Sequence, residues 1–371
     1  MRMSDLDRID AAIKALAAGR MVIVVDDDDR ENEGDLILAA ERATPEQIAF
    51  MIRHTSGILC TPLTTDHAAR LRLDPMVNAN DAPLGTAFTV SVDYRHGLTT
   101  GISADERTAT VRALANNNCG AEDFVRPGHI FPLIARDGGV LIRSGHTEAA
   151  VDLARLAGAT PVGVIAELVN DDGSVKRLAD CRAFAAEHGL PIVSIADLID
   201  YRQRREHLVE RVTQFDVQTA HGPAVAYVYQ TPFDPLQQVA LVFGDVVNGT
   251  PVLARIHREQ VVADLFTAET AGGPARRALA RIADEGRGVL VYLRDGLAVP
   301  PREPDRAAPL SDDDGHGSAQ ARRDRWREVG VGAQILRDLG VHAIRLLTTS
   351  QRQYVGLGGF GIEIVADEPL E

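Results

Sequence analysis

The sequence is poor in cysteine and contains no long apolar run. Its 371 residues include three cysteines, Cys60, Cys119 and Cys181, and so sparse a set provides neither a disulfide framework nor the spacing of a zinc site. No apolar stretch approaches the roughly 20 residues that a membrane helix needs. The N-terminus begins with a helical pattern rather than the apolar core of a signal peptide. These absences predict a soluble, cytoplasmic protein without a membrane partner.

Positive charge is scarce as well. Lysine and arginine together number 39 against 53 aspartates and glutamates, which gives a net charge of −14. Because nucleic acids are bound through clustered cations that neutralise their phosphates, we expect no nucleic-acid partner. A small phosphorylated substrate held by a few local charges remains compatible with this composition.

The length of 371 residues predicts two domains, since domains run to roughly 100–200 residues. We place them at residues 1–205 and 206–371, with a charged helix from 197 to about 211 leading into a linker. The predicted fold class is α+β or α/β: a mixed sheet with flanking helices, followed by a second α/β domain. Strands are predicted at 21–25, 140–142, 162–165, 192–195, 224–229, 239–243, 252–256, 289–293 and 344–347, helices at 148–156, 179–188, 275–284 and 332–339, and a flexible loop at 300–324.

The segment 26–35 places seven acidic residues among ten positions, directly after an apolar strand. Carboxylates this close repel one another, and a divalent cation or a polyhydroxylated substrate among them would relieve the repulsion. Arg30 and Gly34 interrupt the acids, as expected of a built site. The alternative is an acidic loop that is merely solvated.

A second segment joins a predicted strand to a helix N-terminus through Arg143, Ser144, Gly145, His146 and Thr147. A helix N-terminus presents backbone N–H groups and a positive dipole, which suit a phosphate. The arginine adds a bidentate partner, and the two hydroxyls add donors. In the alternative interpretation Thr147 is only the N-cap and His146 lies on the surface.

Two further residues are candidates for acid–base chemistry. His129 lies between Pro127 and Pro132, and a rigid loop carrying a histidine suits proton transfer. Glu167 follows the strand at 162–165, at the strand end where active sites often lie. A lone histidine is more often structural, so each signal is weak by itself.

Taken together, these segments resemble the 3,4-dihydroxy-2-butanone 4-phosphate synthase family, nearly continuously from residue 9 to residue 201. The matching stretches are DDDDRENEGDLILAA (26–40), RHTSGILC (53–60), GTAFTVSVD (85–93), TTGISADERTAT (99–110), RPGHIFPL (126–133), GGVLIRSGHTEAAVDLARLAG (138–158), ELVNDDGS (167–174) and HGLPIVSIADLIDYR (188–202).

The resemblance implies an enzyme that converts ribulose 5-phosphate into formate and a four-carbon phosphate. It also implies a homodimer with its sites near the subunit interface. Glu31 and His146 match the family's metal ligands, and Mg²⁺ is the implied cation. One carboxylate and one imidazole also suit Mn²⁺, because Mg²⁺ prefers oxygen ligands.

The same resemblance assigns the remaining site residues. His129 and Glu167 match positions essential for catalysis. Substrate contacts are implied for Arg30, Glu31, Asp35, Arg143, Ser144, Gly145, His146, Thr147 and Glu167, with Arg143 and Thr147 on the phosphate. Which of Asp35, His129 and Glu167 moves which proton stays open. Cys60 fits a buried structural cysteine equally well.

The second half resembles GTP cyclohydrolase II at 251–259, 329–350 and 357–371. That family's implied zinc site needs three cysteines after the region of His257, whereas the stretch 260–273 has none and no cysteine follows Cys181. Thiolate ligands have no substitute there, so we expect no zinc and no hydrolysis of GTP. The alternatives are a bifunctional enzyme that also opens GTP, and a second half that regulates the first by binding a nucleotide or by oligomerising.

Overall fold

The structure is a computed structural model that describes residues 5–26, 31–82, 85–232, 234–247, 249–266, 273–294, 326–349 and 357–370. Arg30 and the segment 300–324, which the sequence predicts to be a substrate contact and a flexible loop, lie outside the described residues. Contacts divide the chain into two compact units, Met1–Tyr201 and Arg202–Glu371. The domain boundary near residue 205 stays a prediction.

The first unit is built on a seven-stranded sheet. Its strands are β1 (Val22–Val25), β2 (Gly34–Ala39), β3 (Cys60–Leu63), β4 (Val92–Tyr94), β5 (Phe124–Ile134), β6 (Gly163–Glu167) and β7 (Ile192–Ser194). They lie in the order β4-β5-β3-β6-β2-β1-β7. The helices are α1 (Asp5–Ala17), α2 (Pro45–His54), α3 (Thr65–Arg70), α4 (Ala104–Ala115), α5 (His146–Leu156), α6 (Leu178–His188) and α7 (Ile195–Arg205), with 3-10 turns at Ala40–Arg42, Ala121–Asp123 and Gly139–Leu141.

The sheet is mixed, which confirms the predicted fold class. The pairs β1–β7 and β3–β5 are parallel, whereas β1–β2, β2–β6, β3–β6 and β4–β5 are antiparallel. Every residue of β1 and β2 is buried. Full burial explains why β1 is a continuous apolar run rather than an alternating one.

The predicted strand at 140–142 is wrong, because the structure has a 3-10 turn at Gly139–Leu141. Gly138 and Gly139 both have positive φ, +92° and +63°, a conformation that an extended strand cannot contain. The carboxylate of buried Asp152 accepts the N–H of Val140 at 2.8 Å. The turn is therefore held from the next helix, α5.

Two further predictions need correction. The expected loop around His129 is part of β5, which pairs with β3 and β4 on its two sides. The charged helix predicted to reach residue 211 ends at Arg205, and β8 (Glu210–Thr219) begins five residues later. The segment around His129 owes its conformation to strand partners that are distant in sequence, whereas β8 is formed by pairing with the next strand along the chain, Gly222–Thr231.

The second unit contains another seven-stranded sheet, in the order β14-β13-β11-β12-β10-β9-β8. The strands after β8 are β9 (Gly222–Thr231), β10 (Asp234–Phe243), β11 (Val252–Arg258), β12 (Gly288–Leu293), β13 (Ala343–Thr348) and β14 (Glu363–Pro369). The helices are α8 (Val261–Leu265), α9 (Pro274–Glu285) and α10 (Gly332–Asp338), with a π-helical segment at Trp326–Val331 and a 3-10 turn at Leu357–Phe360. Strands β8 to β10 and the pair β10–β12 are antiparallel, and the others are parallel.

All five strands predicted for this half are present, but β8 and β14 were missed. The first seven residues of β8 are exposed, so this strand carries no apolar periodicity that a sequence pattern could reveal. None of the helices in the described part of the chain has the length and apolar character needed to cross a membrane.

Candidate active site

The acidic segment connects the antiparallel strands β1 and β2. It lies at the edge of the first sheet that is formed by the strand ends, where β1 stops and β2 begins. The carboxylate of Asp26 accepts the backbone N–H groups of Glu31 and Glu33 at 3.0 and 2.9 Å. The Asp26 N–H in turn donates to the Glu33 carbonyl at 3.2 Å. These bonds fold the described end of the loop back over the strand pair, so that its acids lie beside Asp35 on β2.

His146 is the first residue of α5 and lies under this loop. Its side chain is 5% exposed, and the N-cap of α5 is Gly145 rather than Thr147. Nδ1 lies 3.7 Å from Oε2 of Glu31 and 4.0 Å from Oδ1 of Asp35. Nε2 lies 3.2 Å from the carbonyl oxygen of Val24. A bond from Nε2–H to that carbonyl would leave Nδ1 as the ligand nitrogen, since the outer partner of a histidine fixes its tautomer.

The negative charges around His146 are only partly compensated by positive groups of the protein. Burial raises the pKa of Asp35 to about 8, and the carboxylates of Glu167, Glu33 and Glu31 add to the rise while His146 opposes it. Burial and the charge of Glu31 likewise raise the pKa of Glu33 to about 7. Oδ1 of Asp35 is buried and accepts no hydrogen bond. A buried acceptor without a donor is costly, and a cation would satisfy it.

The donor set fits a divalent cation. Ligand atoms of Asp26, Glu31 and His146 lie within 4.8 Å of one another, as do those of Glu33, Asp35 and His146. Both groups belong to the first unit. Among the residues that the structure describes, no third group of potential metal ligands lies this close together. Several carboxylates with one imidazole suit Mg²⁺ or Mn²⁺ better than a soft metal.

Glu167 ends β6 beside this cluster. It lies directly opposite Asp35 in the antiparallel register of β2 and β6. The Ser56 hydroxyl donates to Oε2 of Glu167 at 2.6 Å, and the Ser56 N–H donates to its carbonyl at 2.8 Å. Two bonds from one residue thus fix both the backbone and the carboxylate of Glu167.

His129 reaches the same edge of the sheet from the other side of β3. Cys60 on β3 is paired with Phe131 of β5 and with Ile165 of β6. Because β5 is parallel and β6 antiparallel to β3, His129 and Glu167 both extend beyond Cys60 in one direction. Burial raises the pKa of the Cys60 thiol, which makes it a poor nucleophile.

Asp93 is a site residue that the sequence did not single out. Its Oδ2 lies 2.7 Å from Nδ1 of His129, and its Oδ1 accepts the His129 N–H at 2.9 Å. The carboxylate is buried, whereas the side chain of His129 is 42% exposed. A buried carboxylate on Nδ1 orients an imidazole and leaves Nε2 to exchange protons. The signal was available, since Asp93 ends the matching stretch 85–93.

The backbone of Gly101 packs against this pair. Its φ is +81°, and a Cβ atom there would lie 2.2 Å from Oδ2 of Asp93 and 2.7 Å from Nδ1 of His129. Glycine is therefore required both by the backbone conformation and by the space.

Arg143 is engaged by the protein itself. Its Nη1 donates to Oε2 of buried Glu148 at 2.7 Å, and its Nη2 donates to the Thr86 hydroxyl at 3.4 Å. Ser144 and Thr147 are buried around the start of α5. The structure thus gathers Glu31, Asp35, His146 and Glu167 into one cluster, with Arg143 preceding the same helix.

Residues 10–201 match the 3,4-dihydroxy-2-butanone 4-phosphate synthase family, which is more than half of the chain. The chain belongs to this family. Residues 210–369 match GTP cyclohydrolase II. The resemblance inferred from the sequence motifs is therefore confirmed for both halves.

Two curated relatives match almost the whole chain. One is the riboflavin biosynthesis protein RibBA of Nocardia farcinica, 47% identical over an alignment of 379 positions, gaps included, that covers 99% of this chain and 91% of that protein. The other is the bifunctional riboflavin biosynthesis protein RIBA 1, chloroplastic, of Arabidopsis thaliana, 47% identical over an alignment of 373 positions that covers 98% of this chain and 68% of that protein.

Solved structures resemble the whole chain and its first half. RibBX from A. baumannii, a two-domain 3,4-dihydroxy-2-butanone 4-phosphate synthase, gives a TM-score of 0.78 at 39% identity and covers 98% of this chain and 99% of its own. A 3,4-dihydroxy-2-butanone 4-phosphate synthase in complex with two magnesium ions gives 0.52 at 46% identity, with 53% and 97% covered. The predicted succession of two α/β domains is confirmed.

Exchanging Gly101 for alanine should disturb the His129–Asp93 pair specifically. We expect Gly101→Ala to lower kcat for formate release about 10- to 100-fold, because small displacements of catalytic groups carry losses of that size. Gly97→Ala is the matched control, since Gly97 also has a positive φ (+75°) but has no atom within 4 Å of an added Cβ. The left-handed backbone should cost each variant about 1–2 kcal/mol of stability in thermal unfolding, and the clash with Asp93 and His129 should add to the cost in Gly101→Ala alone. Equal losses of kcat in the two variants would contradict the proposed contact.

Proposed function

We propose that the first unit converts D-ribulose 5-phosphate into 3,4-dihydroxy-2-butanone 4-phosphate and formate, a step of riboflavin biosynthesis that requires a divalent cation. The observation that carries this proposal is the convergence of three groups at one edge of the sheet. They are the carboxylate cluster around His146, the Glu167–Ser56 pair and the His129–Asp93 pair. This chemistry removes a proton next to a carbonyl, shifts the carbon skeleton and releases the terminal carbon. It needs acid–base groups on more than one side of the substrate.

Glu31 and His146 would hold the cation, with Asp35 close to both. A cation bound there supplies a Lewis acid for the carbonyl and hydroxyl oxygens of the substrate. Magnesium is supported by the similar synthase that was solved with two magnesium ions, and the imidazole ligand also suits manganese. The orphaned Oδ1 of Asp35 gives the cluster a further acceptor directed at the same place.

Three residues can exchange protons with the substrate, each in a different state. His129 can accept a proton at Nε2, because Asp93 holds its Nδ1. Glu167 offers a carboxylate fixed by Ser56. Asp35, whose pKa burial raises to about 8, can carry a proton near neutral pH until a cation binds. A carboxyl group with a raised pKa beside other candidate acid–base groups is typical of active sites.

The phosphate is proposed to lie at the N-terminus of α5, where Arg143 and Thr147 precede or begin the helix. The unpaired N–H groups of a helix N-terminus favour an anion, and the Glu148 carboxylate keeps the Arg143 guanidinium in a fixed place. Ser144 and Gly145 complete the proposed substrate-binding stretch. Arg30 is also proposed as a substrate contact.

Removing either metal ligand should abolish the reaction. We expect His146→Ala and Glu31→Gln to reduce formate release from ribulose 5-phosphate by more than about 100-fold, because the cation then loses an anchoring ligand. The assay is formate release over a titration of Mg²⁺ and of Mn²⁺. His96→Ala serves as the control, since the side chain of His96 is 60% exposed and paired with Asp123. Near-normal turnover of His146→Ala at ordinary Mg²⁺ would refute the assigned metal site.

The second unit is proposed to have no cyclohydrolase activity, because the sequence has no cysteine after Cys181. In the described part of the stretch 260–273, Asp264 is buried and its carboxylate is already satisfied. It lies 3.0 Å from Nε2 of His257, and it accepts the Tyr292 hydroxyl at 2.7 Å and the Gln260 N–H at 2.9 Å. Such a cluster stabilises the fold and offers no soft ligand to zinc.

The names of the relatives differ on this point. The Arabidopsis protein is called bifunctional, whereas the similar two-domain protein of A. baumannii is described as a synthase. The absence of thiolate ligands favours the second reading for this chain, because hydrolysis of GTP without a zinc-bound water lacks its electrophile.

The purified full-length chain should contain no stoichiometric zinc and should leave GTP intact while it releases formate from ribulose 5-phosphate. Metal analysis by mass spectrometry and parallel assays with the two substrates measure this. The substrate ribulose 5-phosphate is the internal control for an active preparation. Turnover of GTP would show that both halves are active, and zinc at about one atom per chain would contradict the expected lack of a zinc site.

A nucleotide-binding role for the second unit receives no support from Gln334, which lies in the segment shared with GTP cyclohydrolase II. Its amide oxygen accepts the Leu208 N–H at 2.6 Å, and its amide nitrogen donates to the carbonyls of Gln203 and Glu206 at 3.1 and 3.0 Å. These bonds tie α10 to the last turn of α7 and to the residues directly after it, all of which belong to the second unit. They favour a structural role for this residue.

A homodimer is proposed for the first unit because apolar side chains are exposed close to the site. Ile58 and Ile102 are 51% and 52% exposed, on loops that both contact Arg107. Exposed apolar residues grouped in this way indicate an interface.

The double variant Ile58→Asp, Ile102→Asp should therefore sediment as a monomer where the wild type sediments as a dimer. Val212→Asp is the control, since Val212 is 47% exposed on β8 of the second unit. A wild-type monomer, or a double variant that still dimerises, would argue against this interface.

A further inference from the structure

Arg107 on α4 is a buried cation whose guanidinium bonds two backbone carbonyls. Its Nε donates to the carbonyl of Ile102 at 3.0 Å, and its Nη1 donates to the carbonyl of Gly57 at 3.2 Å. The side chain is 7% exposed. Burying an arginine is costly unless its bonds serve the structure, so the two loops that it joins are of interest.

The first of these loops carries the partner of Glu167. Gly57 directly follows Ser56, whose hydroxyl and N–H both bond Glu167. The loop follows α2 and begins with Thr55, whose hydroxyl donates to the Met51 carbonyl at 2.6 Å. The bond from Arg107 therefore fixes the far side of the turn that presents Ser56.

The second loop carries the glycine that covers the other proton-transfer pair. Ile102 directly follows Gly101, which packs on Asp93 and His129. The same loop is tied to α4 by Glu106, whose carboxylate accepts the Thr99 N–H at 2.6 Å. The bond from Arg107 to the Ile102 carbonyl completes the closure of the loop over the pair.

The charge of Arg107 also acts on the site. Burial lowers the pKa of Arg107, while the nearby carboxylate of Asp93 opposes this effect. An arginine remains protonated in such surroundings, so the first unit places a permanent positive charge behind the carboxylate that orients His129. That charge offsets part of the cost of burying Asp93.

We propose that Arg107 is a positioning residue that couples the Glu167–Ser56 pair to the His129–Asp93 pair, so that both proton-transfer groups keep one mutual geometry across β3. This inference rests on the proposed synthase function. Lysine cannot replace the arginine fully, because a single ammonium lacks the planar fork that reaches two carbonyls at once.

The test compares four variants on the same helix. Arg107→Gln removes the charge and the fork, and Arg107→Lys keeps the charge alone. Arg112→Gln and Arg112→Lys are the matched controls, because Arg112 is exposed on α4. Each full-length variant is assayed with ribulose 5-phosphate in D₂O for formate release and for deuterium incorporated into recovered substrate.

For Arg107→Gln we expect kcat for formate release to fall about 10- to 100-fold, with KM within about twofold of the wild type. The ratio of deuterium exchange to formate release should rise, since return of a proton to the substrate needs one group and forward reaction needs both. Arg107→Lys should fall between the wild type and Arg107→Gln. The Arg112 variants should match the wild type.

The exchange ratio separates positioning from folding, because a smaller fraction of folded enzyme lowers both rates equally. A wild-type ratio in the Arg107 variants would overturn the inference, whatever their kcat. If Arg107→Gln does not fold, Arg107→Lys decides by the same ratio. No formate from the wild type would refute the proposed function itself, whereas an active wild type with Arg107 variants equal to the Arg112 controls would refute the coupling alone.

Discussion

Repulsion among a buried carboxylate, that of Asp35, and the half-buried carboxylates around it is the constraint on which the first unit depends. Strand pairing forces Asp35 and Glu167 to lie opposite each other, and the loop after β1 adds Glu31 and Glu33 to the same place. Charges of one sign in a low-dielectric interior raise each other's pKa and oppose folding. The sheet tolerates them because His146 lies among them and because backbone and hydroxyl donors hold individual carboxylates. The residual imbalance is the physical reason for the proposed cation site among these carboxylates.

The fold could be predicted where a segment's own residues determine its conformation. The apolar run of β1 and the glycine that ends α6 at Gly189 are cases of this kind, since burial and a left-handed C-cap are read directly from residue type. β8 was missed because its exposure gives no periodic signal. β5 was predicted to be a loop because its two prolines and its glycine disfavour a strand. The strands that pair with it on either side cannot be seen in its own residues. For β5 the deciding contacts come from β3 and β4, which lie far earlier in the sequence. For β8 they come from hairpin pairing with β9, which the residues of β8 do not signal by themselves.

The site residues also divide into those that the sequence predicted and those that only the structure reveals. Family motifs led to Glu31, His146, His129 and Glu167, because their residue types and order are distinctive. Asp93 was overlooked since its role exists only through a hydrogen bond between two strands. The hydrogen bonds of Arg143 with Glu148, and of Gln334 with the backbone of residues 203–208, likewise could not be predicted from the sequence. Motifs thus led to the residues proposed to bind substrate and metal, whereas the residues that orient them emerge from tertiary packing.

The position of the acidic hairpin in the sheet has a consequence for biosynthesis. The neighbours of β1 and β2 are β7 and β6, which come from the far end of the first unit. A ribosome therefore makes the acidic loop early and its neighbouring strands late, and domains fold as units once their sequence is complete. His146 also emerges well after the loop. The nascent chain holds the acids without the imidazole and without the strands that bring them together. We therefore expect the proposed cation to bind the completed unit and not the growing chain.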